Sequence, residues 1–130
     1  MVLLLGLAAC SDRDAEMAFA VRPLKPGTLP TFPTVRAEGG PGTIVVRGRL
    51  EAPSPCQAVS GKVTADGAGV TVRVEAEPRG VACPDVISPF GYDATVSGLG
   101  RGRYRLRVVH AYPGTGWGER TVLDQEVPVH

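Results

Sequence analysis

The fold class is decided by residues 69–77, which read Gly-Val-Thr-Val-Arg-Val-Glu-Ala-Glu. Apolar side chains alternate there with polar or charged ones, and a spacing of two is typical of a β-strand that buries one face. Just before this stretch, Asp66-Gly67-Ala68-Gly69 is a glycine-containing turn, which is typical of a hairpin. The preceding strand is then predicted at residues 57–65, with one face formed by Val59, Gly61, Val63 and Ala65.

The same spacing recurs on both sides of this hairpin. No helical pattern follows residue 20, and Val86 and Ile87 are predicted to form a short edge strand. Clusters of glycine and proline separate the apolar runs roughly every 8 to 12 residues, as in an all-β sandwich. The sequence therefore predicts an antiparallel β-sandwich of about seven strands at residues 43–130, with its other main strands at 43–50, 90–96, 104–112 and 120–129.

One stretch is more specific than the alternation. Residues 98–108 read Gly-Leu-Gly-Arg-Gly-Arg-Tyr-Arg-Leu-Arg-Val. They resemble the Leu-x-x-Gly-x-Tyr-x-Val-x-Val segment of immunoglobulin-like and transthyretin-like modules in bacterial surface proteins. The resemblance implies that Tyr104 starts a late strand and ties a corner through its hydroxyl group. Leu106 stands where classical immunoglobulin domains place a cysteine, so the resemblance indicates an immunoglobulin-like sandwich and no particular family.

The N-terminus carries a second resemblance. An apolar run ends in Leu7-Ala8-Ala9-Cys10 and gives way to polar sequence, which resembles the lipobox of bacterial lipoproteins. The resemblance implies that residues 1–9 are a cleaved signal peptide and that Cys10 carries acyl chains such as palmitate as a membrane anchor. The protein would then reside in the bacterial cell envelope, and Ser11 favours the outer membrane, facing the periplasm. The usual basic residue before the apolar run is missing. The alternative is an apolar N-terminus with an ordinary buried cysteine.

The number of cysteines fits lipidation. The chain has three, and an odd number in an exported protein requires an explanation. Lipid on Cys10 leaves Cys56 and Cys83, which are predicted to form a disulfide bond in an oxidising compartment. By closing the loop between the two cysteines, that bond would stabilise the fold by about 3.6 kcal/mol on the chain-entropy model. A zinc or redox site would favour a closer spacing such as CxxC, so no metal site is predicted.

Residues 10–42 are predicted to form a flexible tether. Prolines at 23, 26, 30 and 33 and the run Glu38-Gly39-Gly40-Pro41-Gly42 favour an extended chain over helices or central strands. Such a spacer would hold the sandwich away from the membrane. The alternative is that residues 31–37 pair as an edge strand, where proline is tolerated.

Charge and motifs argue against two classes of function. The net charge is +1 with both signs scattered, whereas nucleic-acid binding shows as a concentrated basic excess. No HExxH, GxSxG or phosphate-binding glycine loop is present. The only histidines are His110, expected inside the core, and the terminal His130. We therefore predict no catalytic residue, no cofactor and no nucleic-acid partner.

Arginines at every second position form a candidate binding surface. One reading is a solvated outer face, with cross-strand carboxylates such as Glu75, Glu77 or Glu126 as partners. The other is an anion-binding face for lipid headgroups, cell-wall polymer or an acidic protein, because arginine forks suit phosphate and carboxylate groups. The solvated face is the favoured interpretation for this stripe of Arg101, Arg103, Arg105 and Arg107.

The second candidate is the glycine-rich loop at residues 112–118. Trp117 is the only tryptophan, and aromatic residues such as Tyr112 and Trp117 often anchor interfaces. The alternative is that Trp117 folds back over the end of the core. Two functions follow as hypotheses. The first is a non-enzymatic, lipid-anchored binding or structural module that contacts an envelope protein or an anionic envelope component. The second is a periplasmic protease inhibitor or chaperone-like factor that uses the 112–118 loop.

Overall fold

A computed structural model describes residues 15–80 and 82–130 of the chain. Within them the chain forms eight strands and no helix. The strands are β1 (Glu16–Pro23), β2 (Val35–Gly40), β3 (Thr43–Ala52), β4 (Gln57–Asp66), β5 (Gly69–Pro78), β6 (Ser88–Ser97), β7 (Gly102–Ala111) and β8 (Arg120–Val129). No helix in these residues is long and apolar enough to cross a bilayer.

The strands form two four-stranded sheets. One sheet has the order β1-β6-β3-β2, and the other has the order β4-β5-β7-β8. The prediction of an all-β sandwich is confirmed, with eight strands instead of about seven. All neighbouring pairs are antiparallel except β5 and β7, which are parallel. They run in the same direction because the chain passes through β6, in the opposite sheet, between them.

The alternating pattern of the sequence marks the two inner faces. On β5 the side chains of Val70, Val72, Val74 and Ala76 are fully buried. The inward positions of β6 are also buried, and its Tyr92 is the largest fully buried side chain. Opposite Tyr92, a Cβ on Gly48 would overlap the tyrosine ring. Gly48 therefore gives Tyr92 the space to lie in the core.

Two strands lie where a tether was predicted, so the tether prediction is wrong for residues 16–23 and 35–40. β1 pairs with β6, and its Met17 and Phe19 pack against the core. β2 pairs with β3 as an edge strand, close to the weighed alternative of pairing at 31–37. The prolines mislead because Pro23 ends β1 and the other three lie in the connection between the strands. Residues 1–9 and Cys10 lie outside the described residues.

The predicted edge strand at Val86 and Ile87 is absent from the described residues. Both side chains are exposed, and β6 begins only at Ser88. At that point β6 pairs with the end of β3, through Ser88 and Ala52. The strand order places β6 between β1 and β3, and neither extends to pair with residues 86–87.

The sandwich has two unlike ends. At the first, which we call the Ala15 end, Gly42 donates a backbone hydrogen bond to His130 and Leu99 donates one to Gly42. The connections there are short: residues 41–42, 67–68 and 98–101. At the second, which we call the loop end, the connections are mostly longer. They comprise residues 24–34, 53–56, 79–87 and 112–119, with residue 81 outside the described chain.

Candidate functional site: the loop end and its arginine cleft

A strap of residues 24–34 crosses one sheet at the loop end. It has to cross because β1 and β2, which it joins, lie at opposite edges of that sheet. Backbone hydrogen bonds hold both ends: Leu24 N donates to Pro89 O at 3.0 Å, and Arg49 N donates to Thr34 O at 2.9 Å. In the middle, the Arg49 guanidinium donates to the carbonyl of Thr28 at 2.6 Å. Arg49 therefore fixes the path of the strap over the sheet.

Between the strap and the sheet lies a cleft of about 240 Å³. We call it the arginine cleft, because its lining includes Arg22, Arg36, Arg47 and Arg49. Strand register brings these residues together: Arg36 faces Arg47, and Arg47 faces Asp93. A Cβ on Gly91 would lie 3.1 Å from the Arg22 guanidinium, so the absence of a side chain lets Arg22 lie over β6.

The carboxylates near the cleft balance only part of its charge. Arg22 contacts Asp93 at 3.1 Å, and Arg47 contacts the same carboxylate at 3.6 Å. Arg49 pairs with Glu51 at 2.6 Å. Among the described residues, Arg36 has no carboxylate within 4.0 Å. Within 4.0 Å the four arginines thus share two carboxylates, which leaves an excess of positive charge, and Glu38 lines an adjoining pocket beside Arg36 and Arg47.

The predicted arginine stripe lies on the other sheet. Its members on β7 contact carboxylates of β8: Arg103 lies 3.7 Å from Glu126, and Arg105 lies 2.6 Å from Asp124. Arg107 lies 3.7 Å from that same aspartate. Arg101 precedes β7, and Arg47 and Arg49 belong to the opposite sheet, so the stripe and the arginine cleft are separate surfaces.

Arg73 shows how charge is balanced on the stripe's sheet. It contacts Glu75 and Glu119, each at 2.8 Å. Hydrogen bonds to these carboxylates raise the pKa of Arg73 above its ordinary value, and the bond from Arg73 lowers the pKa of Glu75. Lys62 lies 3.4 Å from Glu75 as well. Carboxylates of the same sheet and of the adjoining 112–119 connection therefore accompany the cations of this outer face.

The 112–118 loop is folded against the end of the core. The rings of Tyr112 and Trp117 meet edge to face, with centroids 5.1 Å apart. Thr115 braces the loop, because its hydroxyl donates to Tyr112 O at 2.7 Å and accepts from Trp117 N at 3.0 Å. Tyr112 is buried, whereas Trp117 remains 38% exposed. Trp117 thus covers the end of the core and still presents one side to solvent.

His110 is a core residue, as the alternation predicted. It is 4% exposed, and its Nε2 lies 2.7 Å from the hydroxyl of Tyr92. Phe19 also stacks on the Tyr92 ring, with centroids 5.7 Å apart. Burial, with a smaller contribution from Arg120, lowers the pKa of His110 to about 4. Burial also raises the pKa of Tyr92. The pair is therefore neutral near pH 7 and inaccessible from the surface.

Two local features expected from the sequence are present. Cys56 and Cys83 form a disulfide bond, which ties the 79–87 connection to the start of β4. The Tyr104 hydroxyl donates to the carbonyl of Gly100 at 2.8 Å, four residues upstream. Tyr104 thus ties the corner that leads into β7, as the resembling segments imply.

Exposed apolar side chains gather at the loop end. Six large ones are exposed among the described residues. Leu29 and Phe32 lie in the strap, 84% and 78% exposed, and Val21 lies two residues before the end of β1. The remaining three are Val86, Ile87 and Trp117, and none of the six lies at the Ala15 end.

Sequence reasoning missed the arginine cleft because it placed Arg22 and Arg36 in a tether. The signal that was available is the alternation of Met17, Phe19 and Val21 with Ala18, Ala20 and Arg22, which favours a strand. Pairing of β1 and β2 with the neighbouring strands then brings the four arginines together.

Comparisons with protein-family models, with curated proteins and with solved structures found no match to this chain. Its function is therefore inferred from the geometry and charge of its surfaces. In the described part of the chain, no group of three His, Cys, Asp or Glu side chains is arranged to hold a metal ion.

Proposed function

We propose that this is a non-enzymatic, lipid-anchored cell-envelope protein whose sandwich binds another envelope protein through its loop end. The observation that carries the proposal is the position of the exposed apolar side chains, all at that end. Large apolar side chains that are exposed at one end of a domain favour that end as its interaction surface. The opposite end has short connections and exposes no large apolar side chain among the described residues.

The position of Cys10 in the sequence gives this arrangement a direction. Ala15 follows Cys10 by five positions, and an extended chain covers at most about 3.6 Å per position, or roughly 18 Å in all. A lipid on Cys10 therefore holds the Ala15 end near the membrane. The ten-residue strands separate the two ends by roughly 30 Å. The loop end then points away from the anchoring membrane, towards partners in the periplasm.

The 112–118 loop supports a second candidate, a periplasmic protease inhibitor or chaperone-like factor. The hydroxyl and ring contacts hold this loop in one conformation while Trp117 stays partly exposed. A braced loop with an exposed aromatic loses little entropy on binding, which suits an inhibitor. In that case Trp117→Ala abolishes a stoichiometric complex with an envelope protease.

Membrane fractionation and site-specific crosslinking together test the main proposal. Intact-mass analysis of the protein from membranes is expected to show acyl chains on Cys10, and Cys10→Ser should move the protein to the soluble fraction. A photo-crosslinking amino acid is placed at Phe32 or Ile87 in the loop end, and at Ala68 or Arg101 in the Ala15 end as matched controls. We expect one envelope protein to be captured from the loop-end positions only. Membrane retention of the Cys10→Ser protein contradicts the anchor. Equal capture from both ends contradicts the loop-end interface.

A further inference from the structure

The arginine cleft is small, and its lining has more cationic than acidic side chains. Its volume of about 240 Å³ lies below the 300 to 1,000 Å³ typical of pockets for drug-sized ligands. Within the lining, Asp93 is the only acidic residue beside the four arginines. Threonines of the strap also line it, at positions 28, 31 and 34. A cleft of this size and charge suits a single oxyanion group.

Arg36 and Arg47 are the arginines best placed to receive that group. Arg36 has no carboxylate within 4.0 Å among the described residues. Arg47 shares the Asp93 carboxylate with Arg22, and its contact of 3.6 Å is longer than the 3.1 Å contact of Arg22. They face each other across β2 and β3. Arg49 is occupied by Glu51 and Thr28 and positions the strap. Guanidinium forks bind carboxylate or phosphate through two parallel N–H donors, which favours recognition by such a pair.

The surroundings of the cleft distinguish between possible sources of the oxyanion. Leu29 lines the cleft and Phe32 follows three residues later, both strongly exposed. A ligand that fills this surface needs a negative group beside apolar side chains. A protein segment that combines acidic and apolar residues has both. The strap lies at the loop end, so a membrane that holds Cys10 faces the other end of the domain.

We propose that the arginine cleft binds a carboxylate group from an acidic segment of a partner protein, with apolar residues of that segment on Leu29 and Phe32. The proposal rests on the proposed function, because the orientation of the domain follows from the anchor at Cys10. It goes beyond that function by naming the chemistry that the partner presents. The arginines of the stripe on β7 are the comparison for those of the cleft, because every one of them on β7 already contacts a carboxylate of β8.

Binding of two matched peptides to the full chain in non-ionic detergent tests the proposal. One peptide is acetyl-Glu-Leu-Glu-Phe-Glu-amide, and the other carries glutamine in place of each glutamate. Arginine side-chain nitrogen resonances report where each peptide binds. We expect saturable shifts at the cleft arginines with the acidic peptide, and binding at least about tenfold weaker for the glutamine peptide, since about 1.4 kcal/mol corresponds to tenfold.

Two double variants complete the test. Arg36→Gln with Arg47→Gln is expected to weaken acidic-peptide binding at least about tenfold, and Arg49 still holds the strap in this variant. Arg103→Gln with Arg107→Gln removes the same charge from the other sheet and is the matched control, with binding expected to stay within about twofold. Unchanged circular dichroism establishes that both fold.

Three results overturn the proposal: equal affinity for the two peptides, equal loss in the two double variants, or shifts that rise without saturation. The proposal is also overturned if the chain binds phosphatidylglycerol vesicles and does not bind the acidic peptide. That result assigns the cleft to a lipid surface. Failure of the anchor is a separate outcome, because the fractionation of Cys10→Ser does not depend on the peptides.

Discussion

Acid should destabilise this domain through a single buried histidine. His110 is in the core beside Tyr92, and burial lowers its pKa to about 4. In the unfolded chain a histidine has a pKa near 6.5. Above pH 6.5 His110 is neutral in both states and has no effect on the pH dependence. Between pH 6.5 and 4 the unfolded chain binds a proton that the folded protein does not, so the free energy of unfolding falls as the pH falls.

The size of the effect follows from that interval. Each pH unit between the two pKa values changes the free energy of unfolding by about 1.4 kcal/mol. The loss by pH 4 is therefore roughly 3 kcal/mol, a large part of the 5 to 15 kcal/mol typical of a domain. Glu75 adds to acid destabilisation at the lower end, because its hydrogen bond with Arg73 lowers the pKa of this carboxylate in the folded protein.

A non-titrating variant isolates the histidine. Urea unfolding followed by circular dichroism, from pH 7 to pH 4, gives the free energy of unfolding for the wild type and for His110→Gln. Glutamine can still hydrogen-bond the Tyr92 hydroxyl, so the variant is expected to lose roughly 3 kcal/mol less than the wild type over this range. His130→Gln removes the exposed histidine and should keep the wild-type slope. Parallel pH profiles for the wild type and His110→Gln would refute the reasoning.

Two further predictions concern stability. Replacing Cys56 and Cys83 together by alanine should lower the free energy of unfolding by about 2 to 4 kcal/mol, measured in urea without reductant, and an unchanged midpoint would contradict a folding role for the bond. Gly48→Ala should lower the free energy of unfolding by about 1 to 3 kcal/mol, because the new methyl group overlaps the Tyr92 ring. Gly67→Ala is the control: Gly67 lies at a turn with positive φ and open space around it, so this variant measures backbone strain without crowding. The crowding account fails if Gly48→Ala alone leaves stability unchanged.

The alternation of apolar residues was sufficient to predict most of the sandwich. From β3 onward the main strands and their buried faces follow from a spacing of two, including the inward position of His110. On β8 a spacing of two does not decide whether Val122 or Leu123 faces inward. The structure has a register irregularity there, opposite Val108 and Val109, and both side chains are half-buried. A single bulge thus defeats a strict period of two.

The arginine cleft depends on facts that no local pattern contains. Arg22, Arg36 and Arg47 lie on three different strands, β1, β2 and β3. They meet only through the strand order β1-β6-β3-β2. In residues 10–42 the prolines favour a tether, whereas the alternation around Met17 and Phe19 favours a strand. Prolines in a connection between strands look the same in sequence as prolines in a tether. Tertiary pairing decides between them.

The contact between β2 and the end of β8 sets when this domain can finish folding. Gly40 and Gly42 share hydrogen bonds with His130, and a Cβ on Gly39 would overlap the carbonyl of Pro128. Residues 39–42 and residues 128–130 are synthesised at very different times, because the chain leaves the ribosome from its N-terminus to its C-terminus. The Gly40 carbonyl and the Gly42 amide thus lack their His130 partners until residue 130 has emerged. Under the export that we propose for this protein, the chain completes this contact only after it has crossed the membrane.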